Sequence, residues 1–389
     1  MLAPFVPSLR ATHGGGIYLA TLAQALKHHA ELGLVALTHD PAPTDRPDPE
    51  WSWQATALLP RRRRGSAGLP HRMRMLWRWR SLPLVAAKHW QPTMPTLLGR
   101  AIREFRPHVA LVELAQMAQY LPYLDGIPTI LTDHEGGCPA NTTTGLGPWG
   151  DRRDAALWRR YVRHFYPLAS AVQTVTFEDA RELSELLGQP VHVRRPTFAV
   201  PMAPVEPGRA PRRALFLGDY SHRPNPEAAA MLVRDILPLL RADDPSTELW
   251  LAGPNQERVR QLGDAAGVKL LGFVPDLHRL FGEVRLVLAP LLSGSGFRMK
   301  ALAALAHGLP VVTNALGARG CDAEPPARTI AEGPRELADA ALRLLRSPDD
   351  AAAAGRAAFA WAKRNLTADA VAADQIEQVQ RLLGIPTAV

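Results

Sequence analysis

Residues 293–312 read Ser-Gly-Ser-Gly-Phe-Arg-Met-Lys-Ala-Leu-Ala-Ala-Leu-Ala-His-Gly-Leu-Pro-Val-Val. Gly294 and Gly296 make a permissive loop, Ser295 is a candidate N-cap, and Gly308 followed by Pro310 stops the helix between them. The first turn of that helix carries Arg298 and Lys300. Two cations there oppose the helix dipole, which favours negative charge at this end by ~0.3–1 kcal/mol per charge. Glycines that let backbone N–H groups approach, a positive helix end and two further cations together describe an anion site. A local rule broken at a glycine-rich loop marks a place where function is expected. His13-Gly14-Gly15-Gly16-Ile17-Tyr18 is a second glycine loop before a helix, and it also offers free N–H groups. Set opposite the first loop, it would complete a pocket for a diphosphate.

Other chemistry-bearing clusters give weaker signals. His134-Glu135-Gly136-Gly137-Cys138 lacks the second histidine of a zinc motif, and its glycines disfavour the helix that would align ligands. His28 and His29 are adjacent on a helical stretch and point apart. Gly294-Ser295-Gly296 does not have the spacing of a nucleophile elbow. Cys138 and Cys321 are too few for a disulfide framework or a thiolate zinc site. Glu113, in Leu-Val-Glu-Leu, reads as a strand-end carboxylate near a cleft, without a catalytic assignment.

The loops are positioned by alternating short apolar runs and amphipathic stretches, the pattern of parallel strands joined by helices. In the first half a helix is expected over 17–30. Strands are expected at 34–38, 109–113, 129–132 and 171–175, with a helix near 154–165. In the second half strands are expected at 214–218, 248–252, 268–271, 286–289 and 311–313, and helices at 225–240 and 297–306. Three helical patterns close the chain near 333–346, 348–364 and 369–384. Prolines crowd residues 196–213, which read as an extended linker. The expected domains are 1–195, 214–365, and a last helix in 366–389 packing back toward the first domain. Ligands in such sheets bind at the carboxyl ends of the strands.

At 389 residues the chain has room for two or three domains. Its 36 prolines and 29 glycines exclude a coiled coil. No apolar run reaches the ~18 residues of a membrane span, and no secretory signal opens the chain, so a cytoplasmic protein is expected. The net charge is +8, and the window Arg61–Arg80 holds eight arginines and no acid, with Trp77 and Trp79 inside it. Arginine beside tryptophan suits a surface facing lipid phosphates, and a solvated loop is the plainer reading. Nucleic acid is not expected, because no nucleic-acid motif accompanies the window.

Gly294-x-Gly296-x-Arg298-x-Lys300-x-Leu302, then Ala306-x-Gly308-x-Pro310-Val311-Val312 and Gly317, resembles the donor-binding domain of retaining glycosyltransferases of family 4. Phe216-x-Gly218 before Arg223-Pro224-Asn225, Leu251-Ala252-Gly253, Leu271-Gly272-Phe273-Val274 and His13-Gly14-Gly15 add to the resemblance. It is dense over 214–320 and thinner over 1–200, where Asp133-His134-Glu135 supports it.

The resemblance implies the GT-B fold, two Rossmann-like βαβ domains facing each other across a cleft. It implies a nucleotide-diphosphate sugar donor, an acceptor hydroxyl on a saccharide or lipid-linked saccharide, and no metal or other cofactor. By the same resemblance Arg298, Lys300 and the Ser295-Gly296-Phe297 helix end would hold the phosphates, with Arg223 as a further cation. Gly218 and Gly253 would be among the donor-binding residues, and Gly272, Phe273 and Val274 would sit in the turn that contacts the base. Gly15 and Gly16 would approach the diphosphate and sugar, and His134 would contact the transferred sugar.

Two positions depart from the family, which places a pair of glutamates where this chain has Ser295 and Ala303. The second of them binds the donor ribose. The family pattern also calls for a longer first strand before Pro4, which implies either a start upstream or a short strand. A catalytically lapsed GT-B scaffold acting as a binding or regulatory protein is therefore the alternative to an active transferase.

Overall fold

The computed structural model describes residues 1–11, 14–39, 51–59, 69–134, 144, 147–293 and 298–386. The chain divides into two compact units. The first comprises Met1–Thr197 with Ala368–Val389, and the second Phe198–Thr367.

The first unit is built on seven parallel strands: β1 (Leu2–Ala3), β2 (Gly33–Thr38), β3 (Trp53–Leu58), β4 (Ala110–Glu113), β5 (Thr129–Asp133), β6 (Ala171–Thr174) and β7 (His192–Val193). Their order is β3-β2-β1-β4-β5-β6-β7, so the chain reverses its direction of growth between β1 and β4. Residue pairing fixes the register there: Leu2 lies against both Val35 and Val112. Loops leaving the strand ends at such a switch point splay apart and leave a crevice for ligands.

The helix after β1 runs Gly14–Leu26, not from Ile17. Three glycines open it because the first turn needs no intrahelical partner for its N–H groups, so their low propensity costs little there. Its inner stripe, Leu22, Ala25 and Leu26, packs on Val371 and Ala372 of the last helix, Ala368–Leu383. The last helix therefore belongs to the first unit.

A second correction concerns the arginine window, in which Leu69–Arg78 form a helix rather than a solvated loop. Arg61–Arg64 lie outside the described residues, as do Cys138 and the Glu135–Cys138 part of the rejected zinc motif.

The second unit holds six parallel strands: β8 (Arg213–Leu217), β9 (Glu248–Ala252), β10 (Val268–Leu270), β11 (Leu286–Leu288), β12 (Val311–Thr313) and β13 (Arg328–Ile330). Their order, β10-β9-β8-β11-β12-β13, repeats the first sheet's reversal, here between β8 and β11. Period-two alternation sends Ala214 and Phe216 into one core and Leu215 into the other, so both sheet faces are covered. Helices Gly333–Arg346 and Pro348–Asn365 lie where the closing patterns place them.

Candidate functional sites in the two units

In the second unit the carboxyl ends of β8, β9 and β10 and the helix Met299–Ala306 enclose a cavity of about 400 Å³. Its floor is backbone. Gly253 has φ of 133°, and a Cβ there would overlap the Gly218 carbonyl, while a Cβ on Gly218 would meet the Asn225 side chain at 2.7 Å, so each position needs a residue without a side chain. Gly253 N–H donates to the Gly272 carbonyl at 2.7 Å, and Gly272 N–H to Gln256 Oε1 at 2.7 Å. These bonds hold the turn that carries Phe273 and Val274 at the cavity wall. Phe273 is largely exposed, an unpaired aromatic face at the mouth.

Lys300 also lines the cavity. Its ammonium donates to Asn225 Oδ1 at 2.6 Å and lies 4.3 Å from the centre of the Phe216 ring. Asn225 is itself oriented by donating to the Asp219 carbonyl at 2.8 Å. Burial, reinforced by the Arg298 charge, pushes the Lys300 ammonium down to about 7. An anion in the cavity would reverse that effect, because a nearby opposite charge favours the protonated form.

The other expected phosphate ligands are placed differently. Arg298 is 7% exposed, and its Nε donates to the Leu316 carbonyl at 3.0 Å. Its charge acts on Lys300, and its side chain secures the segment after β12. Arg223 does not line the cavity. Its side chain is 86% exposed and pairs with Glu227 at 2.7 Å one helical turn on, a geometry in which neighbouring residues of one helix face meet. Ser295, Gly296 and Phe297 lie outside the described residues. Ala303 is on the cavity wall, and Asp219 is the carboxylate among the described lining residues.

The first unit has a site of another kind. His134 follows β5, and its Nε2 lies 3.1 Å from Glu113 Oε2 at the end of β4. Glu113 is fully buried, which corrects the expectation of a cleft-lining carboxylate. Burial alone would raise its pKa. Arg194, donating to both carboxylate oxygens at 2.8 and 2.7 Å, and the bond to His134 together outweigh burial and hold it at about 2. The Tyr18 ring stands edge-on to His134, with centroids 5.5 Å apart. Gly15 and Gly16 sit in the first turn of Tyr18's helix rather than in a loop, and Gly16 is buried. Sequence reasoning gives Arg194 no role: it lies near the end of the expected first domain, just before the proline-rich stretch, with no motif around it. Its backbone N–H instead pairs with Thr174, extending the sheet edge.

Residues 211–347 match the family model described as Glycosyl transferases group 1. No curated protein matches the chain. Among solved structures, Anabaena Alr3699/HepE in complex with UDP is 14% identical with a TM-score of 0.63, covering 98% of this chain and 100% of that one. A glycosyltransferase from Rickettsia africae is 12% identical with a TM-score of 0.62, covering 98% of each chain. TarM, known from S. aureus, is 12% identical with a TM-score of 0.54, covering 74% of this chain. The chain spans 58% of TarM's length. At these identities the likeness is one of fold, the two-domain GT-B arrangement of parallel sheets flanked by helices.

Proposed function

On the premise that residues 211–347 are a glycosyl transferases group 1 domain, we propose that the protein transfers a sugar from a nucleotide-diphosphate sugar to an acceptor hydroxyl with retention of configuration. The observation that carries this reading is Lys300, a desolvated lysine on the first turn of a helix, facing a cavity at the sheet's switch point. Cleaving the sugar–phosphate bond develops charge on the leaving diphosphate, and a fixed cation and helix dipole stabilise it in the transition state. The reading includes front-side attack assisted by that phosphate, with no side-chain base, and a role in polysaccharide or glycolipid synthesis. Phe273 and Val274 would meet the base. Asp219, the carboxylate among the described lining residues, would take the ribose contact that Ala303 does not make.

A thermal-stability screen against UDP-, GDP- and ADP-sugars tests this. Ligand at 100 times its Kd stabilises the native state by ~2.7 kcal/mol, so one nucleotide should raise the transition by several degrees. Equal transitions with every nucleotide diphosphate would refute a donor site. A lapsed scaffold, the reading that Ala303 favours, would show the shift with no sugar release in any acceptor mixture.

We further propose a cytoplasmic location with peripheral contact to an anionic membrane. Helix Leu69–Arg78 supports this by its inverted polarity: Met73, Leu76 and Trp77, at i, i+3 and i+4, are more than half exposed. Arg78 turns inward and stacks 3.9 Å from the Trp90 ring centre. Among the described residues, His71 Nδ1, Arg74 Nε and Arg78 Nε find no hydrogen-bond partner. Trp149, also exposed, makes an edge contact with Trp79, the residue after this helix. An exposed apolar stripe with tryptophan and arginine suits the headgroup region of an anionic bilayer. No helix among the described residues is long and apolar enough to cross a membrane. The full chain should pellet with vesicles containing phosphatidylglycerol at low salt, and Leu76→Ser/Trp77→Ser should stay in the supernatant. Equal pelleting of the two would eliminate this surface.

A further inference from the structure

Beneath His134 the first unit buries charge that packing alone does not require. Glu113 and Arg194 are both fully buried. Glu113 Oε1 accepts from Arg194 Nη1 at 2.8 Å and from Thr132 Oγ1 at 3.4 Å, while Oε2 accepts from Arg194 Nη2 at 2.7 Å and from His134 Nε2 at 3.1 Å. Arg194 is engaged on its other side as well. Nη1 donates to Gln375 Oε1 at 2.7 Å, and Nε donates to the Tyr18 hydroxyl at 2.9 Å. Gln375 Oε1 takes a second donor from Gln173 Nε2 at 2.7 Å, and Gln173 also donates to Thr132 Oγ1 at 2.8 Å. Strands β4, β5 and β6, the residue after β7, the helix Gly14–Leu26 and the last helix therefore converge on one carboxylate.

A buried ion pair is weak evidence for stability, since an apolar set of similar volume often holds a core as well. An apolar set cannot choose a tautomer. An ionised carboxylate only accepts, so the imidazole nitrogen facing Glu113 must carry the hydrogen. The hydrogen bond an imidazole makes at one nitrogen decides which nitrogen is free at the other. Tyr18, edge-on at an interplanar angle of 72°, restricts the ring plane. The His134 side chain is 12% exposed, so at this residue the buried network reaches solvent.

We propose that Glu113 and Arg194 form a positioning pair that fixes His134 as its Nε2–H tautomer and presents Nδ1 as a hydrogen-bond acceptor for a substrate hydroxyl, with Gln375 bracing the pair from the last helix. That the hydroxyl belongs to a sugar rests on the function proposed above. The tautomer does not. His134 is then a directed acceptor, and the chain's last helix becomes part of the apparatus that aims it.

The experiment is a long-range proton–nitrogen correlation on the full chain labelled with ¹⁵N-histidine, without ligand, above the pH at which imidazoles ionise. The His134 signals are identified by their absence in His134→Gln. The expected result is a single Nε2–H pattern in the parent protein, and in Glu113→Gln the appearance of an Nδ1–H population. An Nδ1–H or evenly mixed pattern in the parent overturns the proposal, and that measurement needs no variant at Glu113 to fold. An unchanged Nε2–H pattern in a folded Glu113→Gln protein overturns it too. UDP-induced thermal shifts measured on the same samples report on the donor reading separately, so the two can fail independently.

Discussion

Lys300→Met is expected to bind UDP about 10- to 100-fold more weakly than the parent chain, the equivalent of losing one charge-assisted hydrogen bond of ~1.5–3 kcal/mol. The same variant should be more stable than the parent without ligand below pH 7. The sign follows from the direction of the shift. The folded protein holds Lys300 at about 7 where the free side chain ionises at 10.5, so the unfolded chain binds more protons between these values. Stability therefore rises with pH across that window, and the burden of the buried ammonium is full below it. Methionine removes the charge and keeps most of the volume. A diphosphate restores the proton to Lys300, so UDP affinity in the parent should fall as pH rises from 7 to 9, by up to about tenfold per unit. This range lies above the phosphate's own second ionisation near ~6. Lys300→Arg, whose charge persists throughout, should bind with no such slope. Calorimetry at three pH values checks all three proteins. A parent affinity that is flat with pH and equal to that of the methionine variant would remove the lysine from the site.

Arg194→Met should lower the stability of the first unit by about 3–5 kcal/mol, because it leaves the Glu113 carboxylate buried without its counter-ion. In a unit of this size that amounts to a fall on the order of 10 °C in its unfolding transition. Glu113→Leu should cost about as much for the reverse reason, and the double variant should cost much less than the sum, since it leaves no buried charge unpaired. The acid limb carries a second signature. Glu113 is held at about 2 in the fold against 4.5 in the free side chain, so its contribution is complete above 4.5 and is lost as pH falls through about 2. Glu113→Leu should flatten that part of the stability curve. Differential scanning calorimetry from pH 2 to 7 tests both statements, and additive single-variant losses would show that the pair is not coupled.

The difference between these two sites shows what a sequence makes legible. The glycine-rich segment announces itself because its parts are neighbours: loop glycines, cations on one turn, and a glycine–proline stop fall within twenty residues. The strand pattern is equally local for the central strands of both sheets, which lie where apolar runs place them, whereas the outer strands β3, β7 and β13 carry no such run and are absent from the sequence reading. Glu113, Arg194, Tyr18 and Gln375 come from four distant stretches, and Arg194 is 181 residues from Gln375. No periodicity encodes such a meeting, and an arginine just before a proline-rich stretch carries no signal of its own. Helix Leu69–Arg78 was obscured for a different reason. Its apolar positions do have helical spacing, but they face outward, whereas the usual reading assumes that the apolar stripe faces the core. In the sequence Asn225 is only the last residue of Arg223-Pro224-Asn225, and its hold on Lys300 exists only in the folded geometry.

The first unit is discontinuous in the chain, with residues 198–367 forming the second unit between its two parts. During synthesis, therefore, all seven strands of the first sheet leave the ribosome well before the helix that covers Leu22, Ala25 and Leu26. At ~5–20 residues per second, the 170 residues in between take roughly ten to thirty seconds to make. Throughout that interval the nascent sheet has no Gln375 against Arg194 and keeps an uncovered apolar helix face. The second unit is contiguous and its residues emerge together, whereas the earlier-made unit is complete only once the helix beginning at Ala368 has followed.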